Sequence, residues 1–141
     1  MKTTIFKTMT LIAIYLFSMN SHAQTKEETL EWLNVKKNEV YTATSNTCGE
    51  SNWAKLEITS TYIKVRSDDG CWTKFFWSEI KDIKIRHDTH IEITTSDIYE
   101  GKASFIEFNT SRTITASYFK ALKHMASING ATLIKEDLFG N

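Results

Sequence analysis

Residues 53–77 read WAKLEITSTYIKVRSDDGCWTKFFW, and the alternation in that stretch decides the fold. Leu56 and Ile58 stand against Lys55 and Glu57, and Ile63 and Val65 stand against Lys64 and Arg66. A period of two marks strands with one dry and one wet face, a pattern that parallel strands buried on both sides do not show. Asp68-Asp69-Gly70 supplies the turn between two such runs, with a glycine free to take positive φ. The stretch reads as an antiparallel meander.

Working outward, Ile83 and Ile85 oppose Lys84 and Arg86, Ile91 and Ile93 oppose Glu92, and Asp88-Thr89 reads as a two-residue link between them. Runs rich in β-branched and aromatic residues predict seven strands, at 40–44, 53–59, 62–66, 71–78, 82–87, 91–95 and 104–108. Proline is absent, so no strand is interrupted and no rigid linker divides the chain. Helical signals flank the strands. Thr25-Lys26-Glu27-Glu28 is a capping box that predicts a helix to about Lys37, with Leu30, Leu33 and Trp32 on its apolar side. Residues 115–129 return to helical spacing, with Tyr118, Phe119, Leu122, Met125, Ala126 and Ile128 in one stripe and Asn129-Gly130 as C-cap. The closing stretch, 131–141, carries Leu133, Ile134, Leu138 and Phe139 and is expected to dock on the domain.

Seven short antiparallel strands closed by one amphipathic helix resemble the pleckstrin-homology-like barrel, in which that helix plugs an open end. The fold class implied is α+β, an antiparallel seven-stranded pleckstrin-homology-like barrel or sandwich with an N-terminal helix and a C-terminal capping helix. The order of elements also resembles small secreted proteins of Gram-negative bacteria, whose Lys-Glu-Glu-Thr-x-x-Trp-Leu opening, here Lys26 to Leu33, precedes a β-rich body. Neither resemblance brings an activity with it. The phosphoinositide-binding basic loop of intracellular pleckstrin-homology domains has no counterpart here, and a fold does not supply a function.

Residues 1–23 predict a secretory signal peptide: Lys2 and Lys7 precede the apolar run at 11–17, and Ser21-His22-Ala23 offers a cleavage site before Gln24. The apolar run is shorter than the roughly 20 residues a bilayer crossing takes. Residues 24–141 are then a single β-rich domain, periplasmic or secreted, with no transmembrane segment. Its 15 basic and 17 acidic residues give a formal charge of −2, with lysines interleaved among carboxylates. Nucleic acid and anionic membrane surfaces are disfavoured as partners, because both demand a basic face.

Cys48 and Cys71 are the only cysteines, and an oxidising compartment makes a bridge between them the default. Such a loop stabilises by roughly 3 kcal/mol in the chain-entropy picture. A catalytic cysteine would need a thiolate-favouring setting, and a zinc site would normally show Cys-x-x-Cys pairs, which are absent.

Three other groups bear on chemistry. His87, Asp88 and His90 surround a hairpin turn as weak metal candidates, with His124 the other histidine available in the mature chain, so no metal and no cofactor is expected. No Gly-x-Ser-x-Gly elbow exists, and Glu57, Glu92 and Glu107 occupy strand positions where charge is expected anyway. No catalytic residue is assigned. Finally, Trp72 and Phe76 alternate with Phe75 and Trp77, so both faces of one strand are aromatic. Either Trp72 and Phe76, with Trp53, form an exposed platform for a lipid, peptide or sugar, or the N-terminal helix or the tail covers them. The covered arrangement is expected, because Leu30, Leu33, Leu138 and Phe139 need an apolar surface. The function expected is an exported, non-catalytic interaction or scaffold module for an envelope or extracellular partner. A small-ligand-binding β-barrel is the alternative, and a hydrolytic enzyme comes third. In the covered case, contacts fall to loops at 45–52 or 97–102.

Overall fold

A computed structural model describes residues 24–51 and 53–134, the side chains of 49–51, 53 and 54 excepted. The expected signal peptide, and Leu138 and Phe139 of the tail, lie outside the described residues.

Helix α1, Lys26–Lys36, starts on the expected capping box. Thr25 Oγ1 accepts from the Glu28 amide at 3.1 Å and the Thr25 amide donates to Glu28 Oε2 at 2.9 Å. These bonds satisfy donors a helix start otherwise leaves open. Leu33 and Thr29 are its buried positions, with Leu30 and Trp32 partly buried. Burying Thr29 leaves no orphan, since its hydroxyl donates to the Thr25 carbonyl at 2.8 Å.

The seven expected strands are present, as β1 (Val40–Ser45), β3 (Trp53–Ile58), β4 (Tyr62–Ser67), β5 (Trp72–Phe76), β6 (Ile80–Arg86), β7 (His90–Tyr99) and β8 (Lys102–Thr110). A three-residue segment, β2 (Gly49–Ser51), was not expected. All pairing is antiparallel, in a five-stranded sheet ordered β2-β1-β8-β7-β6 and a three-stranded sheet ordered β3-β4-β5. The sheets do not close into a barrel, which corrects that form of the expectation in favour of the sandwich. A 3-10 turn, Trp77–Glu79, carries the chain from the smaller sheet to the larger, so β5 and β6 follow each other without pairing.

Two turns differ from expectation. The link at Asp88-Thr89 is three residues, because His87 and Asp88 both take left-handed backbone, φ 46° and 62°. Residues 97–102 form the end of a long hairpin in place of a loop. Ile98 pairs with Ala103 and Tyr99 with Lys102, across Glu100-Gly101 at φ 49° and 78°. Positive φ at both central positions matches the right-handed strand twist. An irregularity between Thr94 and Ile98 breaks the alternation there, and the polar run it leaves reads as a loop.

The core lies between the sheets. Leu56, Ile58, Ile63, Val65 and Phe75 come from the smaller sheet, and Ile83, Ile91, Ile93, Ile106 and Phe108 from the larger. Trp77 is fully buried at the junction and donates from Nε1 to the Thr59 carbonyl at 2.9 Å. Helix α2, Thr115–Ile128, contributes Tyr118, Ala121, Leu122, Met125 and Ala126. That spacing of i, i+3, i+4, i+7, i+8 is one helical face. Phe119 and Ile128, expected in the stripe, fall beside it. Phe119 is partly buried beneath the Lys123 ammonium, 4.7 Å from the ring centre, and Ile128 is exposed. The helix ends as expected: Gly130 takes φ +87°, its amide donates to the Ser127 carbonyl, and the Ala131 amide donates to that of Ala126. Leu133 then packs on the core, and the Ile134 amide donates to the Lys81 carbonyl at 2.8 Å.

Candidate functional site

The outer face of the three-stranded sheet carries the exposed aromatics Trp72 and Phe76, while Tyr41 and Tyr99 are exposed on the larger sheet. Since Ile63, Val65, Thr73 and Phe75 point inward, alternation turns Tyr62, Lys64 and Arg66 of β4, and Trp72, Lys74 and Phe76 of β5, outward. The register pairs Tyr62 with Phe76, Lys64 with Lys74 and Arg66 with Trp72. On β3, Lys55 pairs with Arg66 and Glu57 with Lys64. Four cations and one carboxylate therefore share this face with three rings. The whole-chain charge does not reveal this separation.

The Lys74 ammonium stands among all three rings, 4.7 Å from the centre of Phe76, 5.5 Å from Tyr62 and 5.8 Å from Trp72. The Lys64 ammonium lies 5.1 Å from Trp72. Among the described residues, none of the face's four cations makes a salt bridge. Glu57 accepts a hydrogen bond from the Tyr62 hydroxyl. That bond is the main reason its carboxyl is held below the usual carboxylate range and the Tyr62 phenol above its own.

Trp72 is 54% exposed and Phe76 40% exposed. The expectation that α1 covers them is corrected: α1 packs on α2, with Trp32 5.8 Å from Tyr118, and sends Leu33 into the core. Trp53 lies on β3 opposite Ser67, and its side chain is outside the described residues.

Cys48 and Cys71 are joined, S–S 2.05 Å, with Cα atoms 5.8 Å apart. The bridge fastens the β1–β2 turn to the residue before Trp72. Beside it, Ser45 shares a buried hydrogen bond with Thr73 at 2.8 Å, and Thr47 bonds to both. At the neighbouring turn Asp69 accepts from the Ser67 hydroxyl and the Cys71 amide, which hold its carboxyl low. One end of the aromatic strand is thus fixed covalently and by hydroxyls.

The other candidates are dispersed. His87 and His90 meet edge to face with ring centres 6.1 Å apart, Asp88 lies 4.0 Å from Arg112, and His124 bonds the Gln24 carbonyl on α1's side of the molecule. Among the described residues no three metal-binding side chains converge. Glu92 and Glu107 pair across the larger sheet, where Glu92 bonds Lys84 and Arg86, while Glu57 belongs to the other sheet. A second concavity, of about 590 Å³, lies between α1 and α2, lined by Gln24, Trp32, Ser117, Lys120, Ala121 and His124. Helical spacing on α2 places its four lining residues together, a signal present in the sequence but meaningless until α1 was known to pack there.

No protein-family model matches the chain, and no curated protein matches it. Among solved structures it is similar to the PH domain from PfAPH, with TM-score 0.57 and 14% identity over 78% of this chain and 98% of that one. It is also similar to the complex of the FERM and C-terminal domains of Drosophila Merlin, with TM-score 0.45 and 17% identity over 68% of this chain and 32% of that one. The first likeness, together with the two antiparallel sheets and closing helix, identifies the fold as that of a pleckstrin-homology domain.

Proposed function

We propose that this chain is an exported, non-catalytic interaction module that docks a partner through the outer face of β3-β4-β5. The observation that carries this reading is the exposure of Trp72 and Phe76 on a strand whose opposite face is locked into the core. Large exposed aromatics on rigid backbone lose little freedom on binding and supply much contact area, which is how interface hot spots are built. The cations around them favour a partner with negative charge. Export is supported by the signal-peptide pattern of residues 1–23 and by the bridged cysteines.

Affinity capture from envelope extract tests the reading, with Trp72→Ser and Phe76→Ser beside the unaltered chain. Loss of the same captured species at unchanged melting temperature supports it, and capture indifferent to both substitutions refutes it. A second reading, small-ligand binding, rests on the α1–α2 groove, whose volume lies within the roughly 300–1,000 Å³ of small-molecule sites. A barrel interior cannot serve it, because Trp77, Phe75 and Phe108 fill the space between the sheets.

A further inference from the structure

The edge of a sheet is where another chain can extend a fold, and native folds cover or blunt their edges. In the larger sheet the free edge of β6 is met by the chain itself, where the Ile134 amide donates to the Lys81 carbonyl at 2.8 Å. β5 is the last strand of the smaller sheet, and among the described residues no strand pairs with its far side. No irregularity blunts it. The β4–β5 register runs from Tyr62 with Phe76 to Arg66 with Trp72 without a shift, whereas β1–β8, β3–β4, β6–β7 and β7–β8 each carry one.

The two ends of the β4–β5 ladder fix which backbone groups that edge presents. The Ser67 amide donates to the Cys71 carbonyl at 2.9 Å, and the Trp77 amide to the Thr61 carbonyl at 3.0 Å. Antiparallel pairs alternate between hydrogen-bonded and non-hydrogen-bonded, so from either end Thr73 and Phe75 turn their amides and carbonyls toward β4. Trp72, Lys74 and Phe76 turn theirs away. The Phe76 amide is taken by Glu79 Oε2 at 3.3 Å, which leaves the Trp72 and Lys74 amides and carbonyls open among the described residues. The open backbone groups thus belong to residues whose side chains stand on the docking face.

We propose that the partner presents an extended acidic segment, which adds to the free edge of β5 as a further strand. Its backbone bonds the Trp72 and Lys74 amides and carbonyls, and every second side chain falls beside Trp72, Lys74 and Phe76 on the outer face. The matching pattern is apolar, acidic, apolar at alternate residues: the rings take the apolar side chains, and the carboxylate meets Lys74, which stands opposite Lys64. The proposal rests on the docking reading, and adds the partner's conformation and charge. A second copy is the wrong occupant, because full antiparallel overlap of two β5 strands sets Lys74 against Lys74, and like charges directly opposite are destabilising.

The test is amide hydrogen exchange, read residue by residue by NMR in the mature chain, with and without the capped peptide Thr-Val-Thr-Glu-Thr-Val-Thr at millimolar concentration. In the free protein the Trp72 and Lys74 amides should exchange faster than those of Thr73 and Phe75. The peptide should slow Trp72 and Lys74 several-fold and leave Thr73 and Phe75 unchanged, whereas the same peptide with lysine for glutamate, or methylated at the glutamate amide, should slow none of them. Lys74→Glu should remove the preference for the acidic peptide. Unchanged exchange at Trp72 and Lys74, or a preference indifferent to Lys74→Glu, overturns the proposal. Protection that rises with protein concentration alone also overturns it, in favour of a second copy on the edge. Capture experiments with Trp72→Ser judge the docking reading separately, so a captured partner that leaves both amides exchanging freely refutes the added strand alone.

Discussion

Lys64 and Lys74 stand directly opposite one another on β4 and β5, two like charges in one cross-strand pair on an exposed sheet face. Such a pair is destabilising in isolation. Here it is tempered by the rings of Trp72, Phe76 and Tyr62, each within 6 Å of an ammonium group. An arrangement that costs stability and faces solvent is one a negatively charged occupant relieves.

Lys74→Gln is therefore expected to leave stability within about 0.5 kcal/mol of the unaltered chain, since lost ring contacts and relieved repulsion oppose each other. Partner capture should nevertheless weaken. Urea denaturation with parallel capture checks both, and a stability loss above about 2 kcal/mol would place Lys74 among the structural residues.

The two tryptophans of the aromatic stretch should separate cleanly. Trp77→Ala removes a fully buried ring and its bond to Thr59 and should cost about 3–5 kcal/mol, whereas Trp72→Ala should cost less than about 1 kcal/mol. Chemical denaturation of both variants reads the difference directly.

On α2 the sensitive position is Leu122, not Phe119. Leu122→Ala should lose about 2–5 kcal/mol, and Phe119→Ala, at a ring only partly buried, about 1 kcal/mol. Equal losses would mean that the helix is rotated from the orientation described.

The bridge closes a loop with a sequence separation of 23, and its removal by Cys48→Ser with Cys71→Ser should cost roughly 3 kcal/mol. Peptide mapping without reductant should recover the two cysteines in one linked pair from protein purified without reductant.

Burial pushes the Tyr118 phenol well above its ordinary value of 10.0. The unfolded chain ionises first as pH rises, so stability present below about pH 10 should be lost above it. Tyr118→Phe keeps the packing and should flatten that alkaline limb, leaving the smaller contribution of Tyr62, whose phenol is raised mainly by its hydrogen bond to Glu57. Urea midpoints followed across the alkaline range check this.

Much of the architecture was legible because its causes are local. The capping box at Thr25, the turn at Gly70, the C-cap at Gly130 and the alternation of Ile63, Val65 and Phe75 each act over a few residues, so neighbours in sequence suffice to read them. The hairpin end at Ile98 and Tyr99 was not legible, because an irregular register hides the period that marks a strand. The docking face was half legible. Alternation assigns Trp72 and Phe76 to the same side, but it took the β4–β5 register to set Lys64 against Lys74 and Tyr62 against Phe76.

The residues alone determined which side chains share a face where strand alternation is regular, where the helices start and stop, and which cysteine pairs with which, since only two exist. Tertiary structure alone decided which faces meet. Leu33 and Trp32 could satisfy their burial against any apolar surface, and they found α2 and Tyr118 in place of β5. Hydrophobic burial is non-directional, so a sequence specifies that a surface will be covered without specifying by what. The choice falls to the packing of all elements together, and here it left Trp72 and Phe76 facing water.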